Sequence, residues 1–312
     1  MRRCTTSVVV IVIALVATAC SNSVNPTTSA QRTAAAGGTI RVASYDFSES
    51  LLLAQMYAIA LRDNGFDARL VPELGSRELV DPALIQGRVD LVPEYVGTAL
   101  NFLTSATSSS ANDVQASYAQ LRKEFDDQGV VTLHYAAAQD RNGFAVSRTA
   151  AARNHWTRIS DLAPDAGKLV FGGPAECAER DLCLVGLRAT YGLRFREFRP
   201  FTEQSVTAQA LVTGEIDVGL LDTTNGALKD RRLLLLRDDR GLQPAENVVP
   251  VVNGDTFRRL GPRLADVVNA VSAHLDTADL VKMNRAVDVD GRDPRAVATE
   301  WLRDNGLLTG HN

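Results

Sequence analysis

From Thr39 onward, apolar and polar positions fall into regular patterns. Ile40, Val42 and Ser44 alternate with Arg41 and Ala43, a period of two that predicts a strand. Asp46-Phe47-Ser48-Glu49 reads as a capping box that opens a helix over Leu51 to Arg62, and Asn64-Gly65 ends it. Phe66 to Leu74 predicts a second strand, which Pro72 assigns to a sheet edge or a strand end. Glu78 to Ile85 predicts a helix stopped by Gly87, and Val89 to Val92 a third strand. The order β-α-β-α-β is that of a parallel, doubly wound sheet.

The pattern then returns. Ala83 to Leu91 (ALIQGRVDL) matches Ala210 to Val218 (ALVTGEIDV) at a constant offset of 127 residues. Each copy is a helix end, a glycine, a charged turn and a buried strand, followed by a loop with Thr98 in one and Thr223 and Thr224 in the other. Ile40 to Ser44 has its counterpart in Leu169 to Gly173, so the chain holds two α/β lobes of similar build. Further on, Val248 to Val252 predicts a strand, Leu264 to Leu275 an amphipathic helix, and Asp293-Pro294 the cap of a last helix carrying Val297, Trp301 and Leu302. These are too few for a third domain and are assigned to the first lobe. Lobe one is then residues 39–140 plus 247–312, lobe two is 141–246, and two hinge crossings frame a cleft.

Before Thr39 the pattern is different. Arg2 and Arg3 precede the apolar run Val8 to Ala17, too short to span a bilayer, and Ala17-Thr18-Ala19-Cys20 follows. This resembles a bacterial lipobox: residues 1–19 are a signal peptide and Cys20 becomes a lipidated N-terminus. Ser21 to Gly38, of Ser, Thr, Asn, Ala and Gly, predicts a flexible tether with a reach of roughly 20–25 Å. The expected location is outside the cytoplasm, facing the periplasm or an equivalent space, on a membrane through the lipid.

Composition removes some classes of partner. The 312 residues are 45% apolar and 22% charged with a net charge of −4, and no Lys/Arg block offers a nucleic-acid surface. Cys4 leaves with the signal, so Cys177 and Cys183 remain, and outside the cytoplasm a C-x5-C pair predicts a disulfide. Its short loop gives only about 2–3 kcal/mol by chain entropy, so its role is to fix one loop. His134, His155, His274 and His311 fall at no ligand spacing near the cysteines, which argues against zinc. There is also no G-x-S-x-G, H-E-x-x-H or phosphate loop to carry an enzyme reading. Trp156 and Trp301 read as packing residues.

Several segments together resemble the substrate-binding proteins of ABC importers for glycine betaine, choline, carnitine and proline betaine. They are Ser44-Tyr45-Asp46-Phe47-Ser48-Glu49, Leu74-Gly75-Ser76, Val89 to Thr98 (VDLVPEYVGT), Ile159 to Leu162, Leu169 to Gly172, Glu176 to Arg180, Tyr191-Gly192 and Val252-Asn253. The likeness runs from Gly38 to Leu308. It implies a two-lobed periplasmic-binding-protein-like fold and a monomer that needs no cofactor. It also implies capture of a small molecule between the lobes and delivery to a membrane permease driven by an ATPase. A lipoprotein that senses or presents a ligand without transport, and a hydrolase using cleft carboxylates, are the alternatives.

The resemblance also implies a ligand site. In the family a cage of Tyr faces holds the quaternary ammonium. Of the cage positions only Tyr95 is Tyr here; the others fall on Asn142, Asp222 and Glu246. Thr98 and Arg180 match the contacts to the ligand carboxylate, and Tyr45 stands where some members have Lys or Gln. Glu94 and Asp140 are further candidates, as a contact and as a hinge residue. Each aromatic face lost removes roughly 0.5–2 kcal/mol of cation–π attraction. The expectation is therefore a hydroxyl-rich ligand (a polyol, sugar derivative or phenolic), with an amine-bearing solute as alternative and weak betaine affinity.

Overall fold

The structure, a computed structural model, describes residues 38–104 and 113–308. The expected signal peptide, Cys20 and the tether up to residue 37 lie outside the described residues. Among the described residues no helix is long and apolar enough to cross a membrane.

Among the described residues ten strands form two sheets of five. The first holds β1 (Ile40–Ala43), β2 (Ala68–Val71), β3 (Leu91–Tyr95), β4 (Val130–Thr132) and β10 (Val248–Asn253), in the order β2-β1-β3-β10-β4. The second holds β5 (Asn142–Ser147), β6 (Val170–Gly173), β7 (Glu197–Pro200), β8 (Val218–Asp222) and β9 (Leu233–Leu236), in the order β7-β6-β8-β5-β9. Four strands of each sheet run one way; β10 in the first and β5 in the second run against both neighbours. Both sheets therefore share one order, with the reversed strand between the third and the fourth. Each reversed strand is the one the chain enters on arriving from the other sheet. The two crossings also pair with each other: Gln139 bridges Asn247, and the Asp140 N–H donates to the Glu246 carbonyl at 3.0 Å.

Helices cover both faces of each sheet. On the first, α1 (Ser48–Asp63) packs on one face, while α2 (Arg77–Ile85), α3 (Val96–Thr104) and α4 (Val114–Asp126) cover the other. On the second, α5 (Arg148–Asn154) and α6 (Leu184–Tyr191) oppose α7 (Gln204–Thr213). After β10 come α8 (Gly254–Leu260), α9 (Pro262–His274), α10 (Thr277–Asp288) and α11 (Pro294–Asp304), the last three joining α1 on its face. The alternation of β10 shows why: Val248 and Val252 enter the cluster under α1, and Val249 and Val251 the one under α2 to α4. Trp301 and Trp156 are buried, one in the core of each sheet.

The internal repeat has a physical cause. The Asp90 carboxylate accepts the Arg41 N–H of β1 at 2.7 Å, and its own N–H donates back to the Arg41 carbonyl at 2.8 Å. Asp217 does the same for Val170 of β6, at 2.8 and 3.0 Å. Gly87 and Gly214 turn the chain out of the preceding helix at φ of 67° and 77°, where a Cβ would be strained. The motif G-x-[VI]-D thus ties β3 to β1 in the first sheet and β8 to β6 in the second. It also accounts for a boundary: β3 starts at Leu91, not Val89, because the Arg88 and Val89 N–H groups are still bonded to the Ala83 carbonyl.

Two local expectations differ. The capping box at the start of α1 does not form: Phe47 is the N-cap, no side chain caps it, and Glu49 turns inward. The sequence reading also leaves several helices unassigned (α3 to α6, α8 and α10), among them α10, where Asp276 and Asp279 form a true capping box at the start.

Candidate functional site

A cavity of about 790 Å³ opens between the two sheets. Its walls come from the ends of forward strands and the loops after them: Tyr45 to Glu49 after β1, Tyr95 of β3, Pro174 to Cys177 after β6, Pro200 to Ser205 after β7, and Asp222 of β8. That is where an open α/β sheet offers a crevice.

One wall is aromatic. The rings of Tyr45 and Phe47 lie nearly parallel with centroids 6.0 Å apart, and Tyr95 follows 6.2 Å from Phe47, tilted by 33°. Phe201 lines the cavity from the second sheet. Behind Tyr45 sits a buried network. Arg77 makes a two-pronged bond to Glu94 at 2.6 and 3.0 Å, and its guanidinium lies 5.0 Å from the Tyr45 ring centroid. The Tyr45 hydroxyl reaches Glu94 at 2.5 Å and Asp81 at 2.8 Å. It has one proton for two carboxyls, so one of them must bring its own. That one is Asp81, whose pKa burial and the Glu94 charge push well up. Burial works against the charge of Arg77, but Glu94 and Tyr45 outweigh it and hold its pKa well above the ordinary value.

Toward the first crossing, which carries Asp140, the cavity is acidic. Glu49, buried, accepts from the Tyr95 hydroxyl at 2.7 Å, the Thr224 hydroxyl at 2.6 Å and the Asn284 amide. Asp140 accepts from the Thr224 N–H at 3.1 Å and the Thr223 hydroxyl at 3.2 Å. Asp222 is bonded to the Gln204 amide. Among the described residues no Lys or Arg side chain is bonded to any of the three. Burial is the main cause that raises Glu49, and burial followed by the charges of Glu49 and Asp222 raises Asp140 well above the carboxylate range. Burial, partly offset by Gln204, pushes Asp222 up to about 7.

The disulfide Cys177–Cys183 closes the loop that carries Arg180, with Cα atoms 5.2 Å apart. From that loop Arg180 reaches across the cleft to Glu78 of α2 at 3.1 Å and back to Glu176 at 3.5 Å.

Six of the seven sequence candidates line the cavity: Tyr45, Tyr95, Thr98, Asn142, Arg180 and Asp222. Glu246 does not. It lies buried beneath α3, where its carboxylate accepts the Gly97 and Thr98 N–H groups, each at 3.0 Å, and the Thr98 hydroxyl. A carboxylate there satisfies free N–H groups at a helix start and holds Thr98 in place. Burial raises its pKa to about 7.

Residues 38–304 match the family described as the substrate binding domain of ABC-type glycine betaine transport systems. The chain belongs to that family. Among its relatives, the glycine-betaine-binding protein of Pseudomonas aeruginosa is 29% identical over 282 residues, covering 86% of this chain and 89% of the relative. Glycine betaine-binding protein YehZ of Escherichia coli is 25% identical over 281 residues, covering 87% and 92%. A crystal structure of a glycine betaine/carnitine/choline ABC transporter protein has the same fold, with a TM-score of 0.68 at 23% identity over 86% of this chain and 99% of that one.

Within this family fold, position-by-position reading of the cage missed Phe47 and Phe201. Neither occupies a position counted as cage, yet both lie on the cavity wall. The expected poverty of aromatic faces, the premise for a hydroxyl-rich ligand, is thus not what the cavity presents. Glu49 and Asn284 were missed as well. Glu49 closes the family-like S-Y-D-F-S-E segment, which was the available signal; Asn284 lies on the unread α10.

Proposed function

We propose that this protein is the solute-binding component of an ABC importer, and that its ligand is a small quaternary-ammonium solute of the glycine betaine, choline and carnitine class. Lobe one, residues 39–140 and 247–312, and lobe two, residues 141–246, close on the ligand about their paired crossings. The closed form passes the ligand to a membrane permease, with no chemistry done on it. Lipid at Cys20 anchors a monomer on the outer side of the membrane.

The observation that carries the reading is the aromatic row Tyr45–Phe47–Tyr95, faced by Phe201, on the wall of a cavity between two sheets. Ring faces attract a cation that has no N–H to donate, and they do so without the desolvation cost of a second charge. Arg180, on the cavity wall, supplies positive charge for the carboxylate of a zwitterion.

Isothermal titration with glycine betaine, choline, carnitine, sorbitol and a simple phenol tests it. At least one quaternary ammonium should bind in the micromolar range or tighter while sorbitol and the phenol give no heat. Phe47→Leu should weaken that binding by about two- to thirtyfold, the loss of one cation–π face. Binding of sorbitol or the phenol with no response to any quaternary ammonium would overturn the proposal.

A further inference from the structure

The acidic end of the cavity has a feature that ligand capture alone does not require. Three carboxyl groups, from α1, from the first crossing and from the end of β8, share one enclosed space with only neutral donors bonded to them. Beside them Asn284 of α10, 3% exposed and on the cavity wall, leaves its Oδ1 without a partner. Its amide, meanwhile, meets Glu49, the Thr224 carbonyl and the Thr224 hydroxyl. Three ionised carboxylates confined together would repel one another strongly in such a setting, and nothing bonded to them supplies positive charge.

We propose that Glu49, Asp140 and Asp222 form the cation subsite of this cavity, and that they take up the ligand's cation in exchange for a proton. Without ligand the group stays partly protonated, which relieves the repulsion. A cation seated on the Tyr95 face lies next to Glu49, since the Tyr95 hydroxyl is bonded to it, and favours the ionised form. The proton then leaves to solvent, and no other group has to accept it.

The charged groups around the subsite are consistent with this. Asp288, at the end of α10, raises both Glu49 and Asp222, whereas Arg180 acts on Asp222 in the opposite sense without bonding to it. Tyr95 is itself pushed well up, first by burial and then by Glu49, so it remains a donor throughout. The other guanidinium on the wall, Arg77, is committed to Glu94. The main balance is therefore among the three acids, Asp288 and the incoming cation.

The proposal rests on the ligand class argued above, and one experiment separates the two. Glycine betaine and choline are titrated calorimetrically at pH 7 in phosphate and in Tris, whose ionisation heats differ widely. The observed heat should change with buffer in proportion to the protons released, about half to one per ligand. Affinity should be roughly tenfold weaker at pH 6 than at pH 8, the fold-change expected when a group with a pKa near 7 must lose its proton. Glu49→Gln and Asp222→Asn should each bind with reduced buffer dependence. Binding whose heat and affinity ignore buffer and pH would overturn the exchange and leave the functional reading intact. No heat with either ligand would remove both.

Discussion

The cavity is bounded by two buried acid networks that differ in one respect. Around Tyr45, the Glu94 carboxylate is paired with the Arg77 guanidinium, and the Tyr45 hydroxyl links Glu94 to Asp81. Around Tyr95, those of Glu49, Asp140 and Asp222 have only amides, hydroxyls and a backbone N–H. Each network includes a tyrosine that lines the cavity. The first is neutralised from within and serves as structure: it fixes the position and tilt of a ring. The second lacks a positive charge of its own, so its balance depends on what enters the cavity. Burial alone does not separate the two roles; the presence of an internal cation does.

Removing that cation should have the largest effect. Arg77→Met leaves Glu94 buried without its partner, and should cost about 3–5 kcal/mol of unfolding free energy in urea denaturation. A loss below 1 kcal/mol would mean that the first network tolerates net charge as the second does, and the contrast would disappear. The pH dependence of the second network comes next. Asp222 in the unfolded chain ionises near pH 4, whereas in the folded protein it keeps its proton up to about pH 7. Between those values the unfolded state is the more ionised at this position, so the contribution of Asp222 to stability falls as pH rises from 4 to 7 and levels off above. Asp222→Asn lacks this slope and should gain about 3.5 kcal/mol relative to wild type between pH 4 and pH 8, measured as the difference between their denaturation curves. A constant difference across that range would place Asp222 with the neutralised group. The smallest effect belongs to the bridge over the cleft mouth. Glu78→Ala removes an ion pair with Arg180 that solvent reaches, and should change stability by less than 1 kcal/mol, with any change fading in 0.5 M salt.

The parts of the molecule that could be read from the sequence were those set by local repetition. The helix end, glycine and strand around Gly87 and Gly214 recur because each sheet has the same aspartate clamp, between β3 and β1 and between β8 and β6. β10 shows as the apolar run Val248 to Val252 because both faces of the sheet are covered. Tyr45 and Tyr95 stood out through their motifs. Glu49 did not, because a serine and a glutamate at the head of a helix read as a cap. Only Tyr95, Thr224 and Asn284, which are distant in sequence, turn that side chain inward. Glu246 was misplaced for a related reason: a loop carboxylate aligned with a cage position is equally suited to the free N–H groups of α3, and only the approach of the second crossing to α3 decides between them. Phe47 and Phe201 sit between the positions that a cage alignment counts.

The reversed strand has a consequence for how the chain is made. β3 and β4 precede the second sheet, but β10, which lies between them, follows it. A chain released from its N-terminal end therefore holds β3 with an open edge and β4 with no neighbour until every strand of the second sheet has appeared. The second sheet, contiguous from β5 to β9, can complete itself first. The first is closed by a strand whose partners lie far back in the sequence, a pairing of high loop-closure cost that is slow to form. A chain stopped before Val248 would keep a finished second sheet beside a first sheet with its centre missing. The architecture that sends the chain across twice between the two sheets also makes the completion of one wait for the completion of the other.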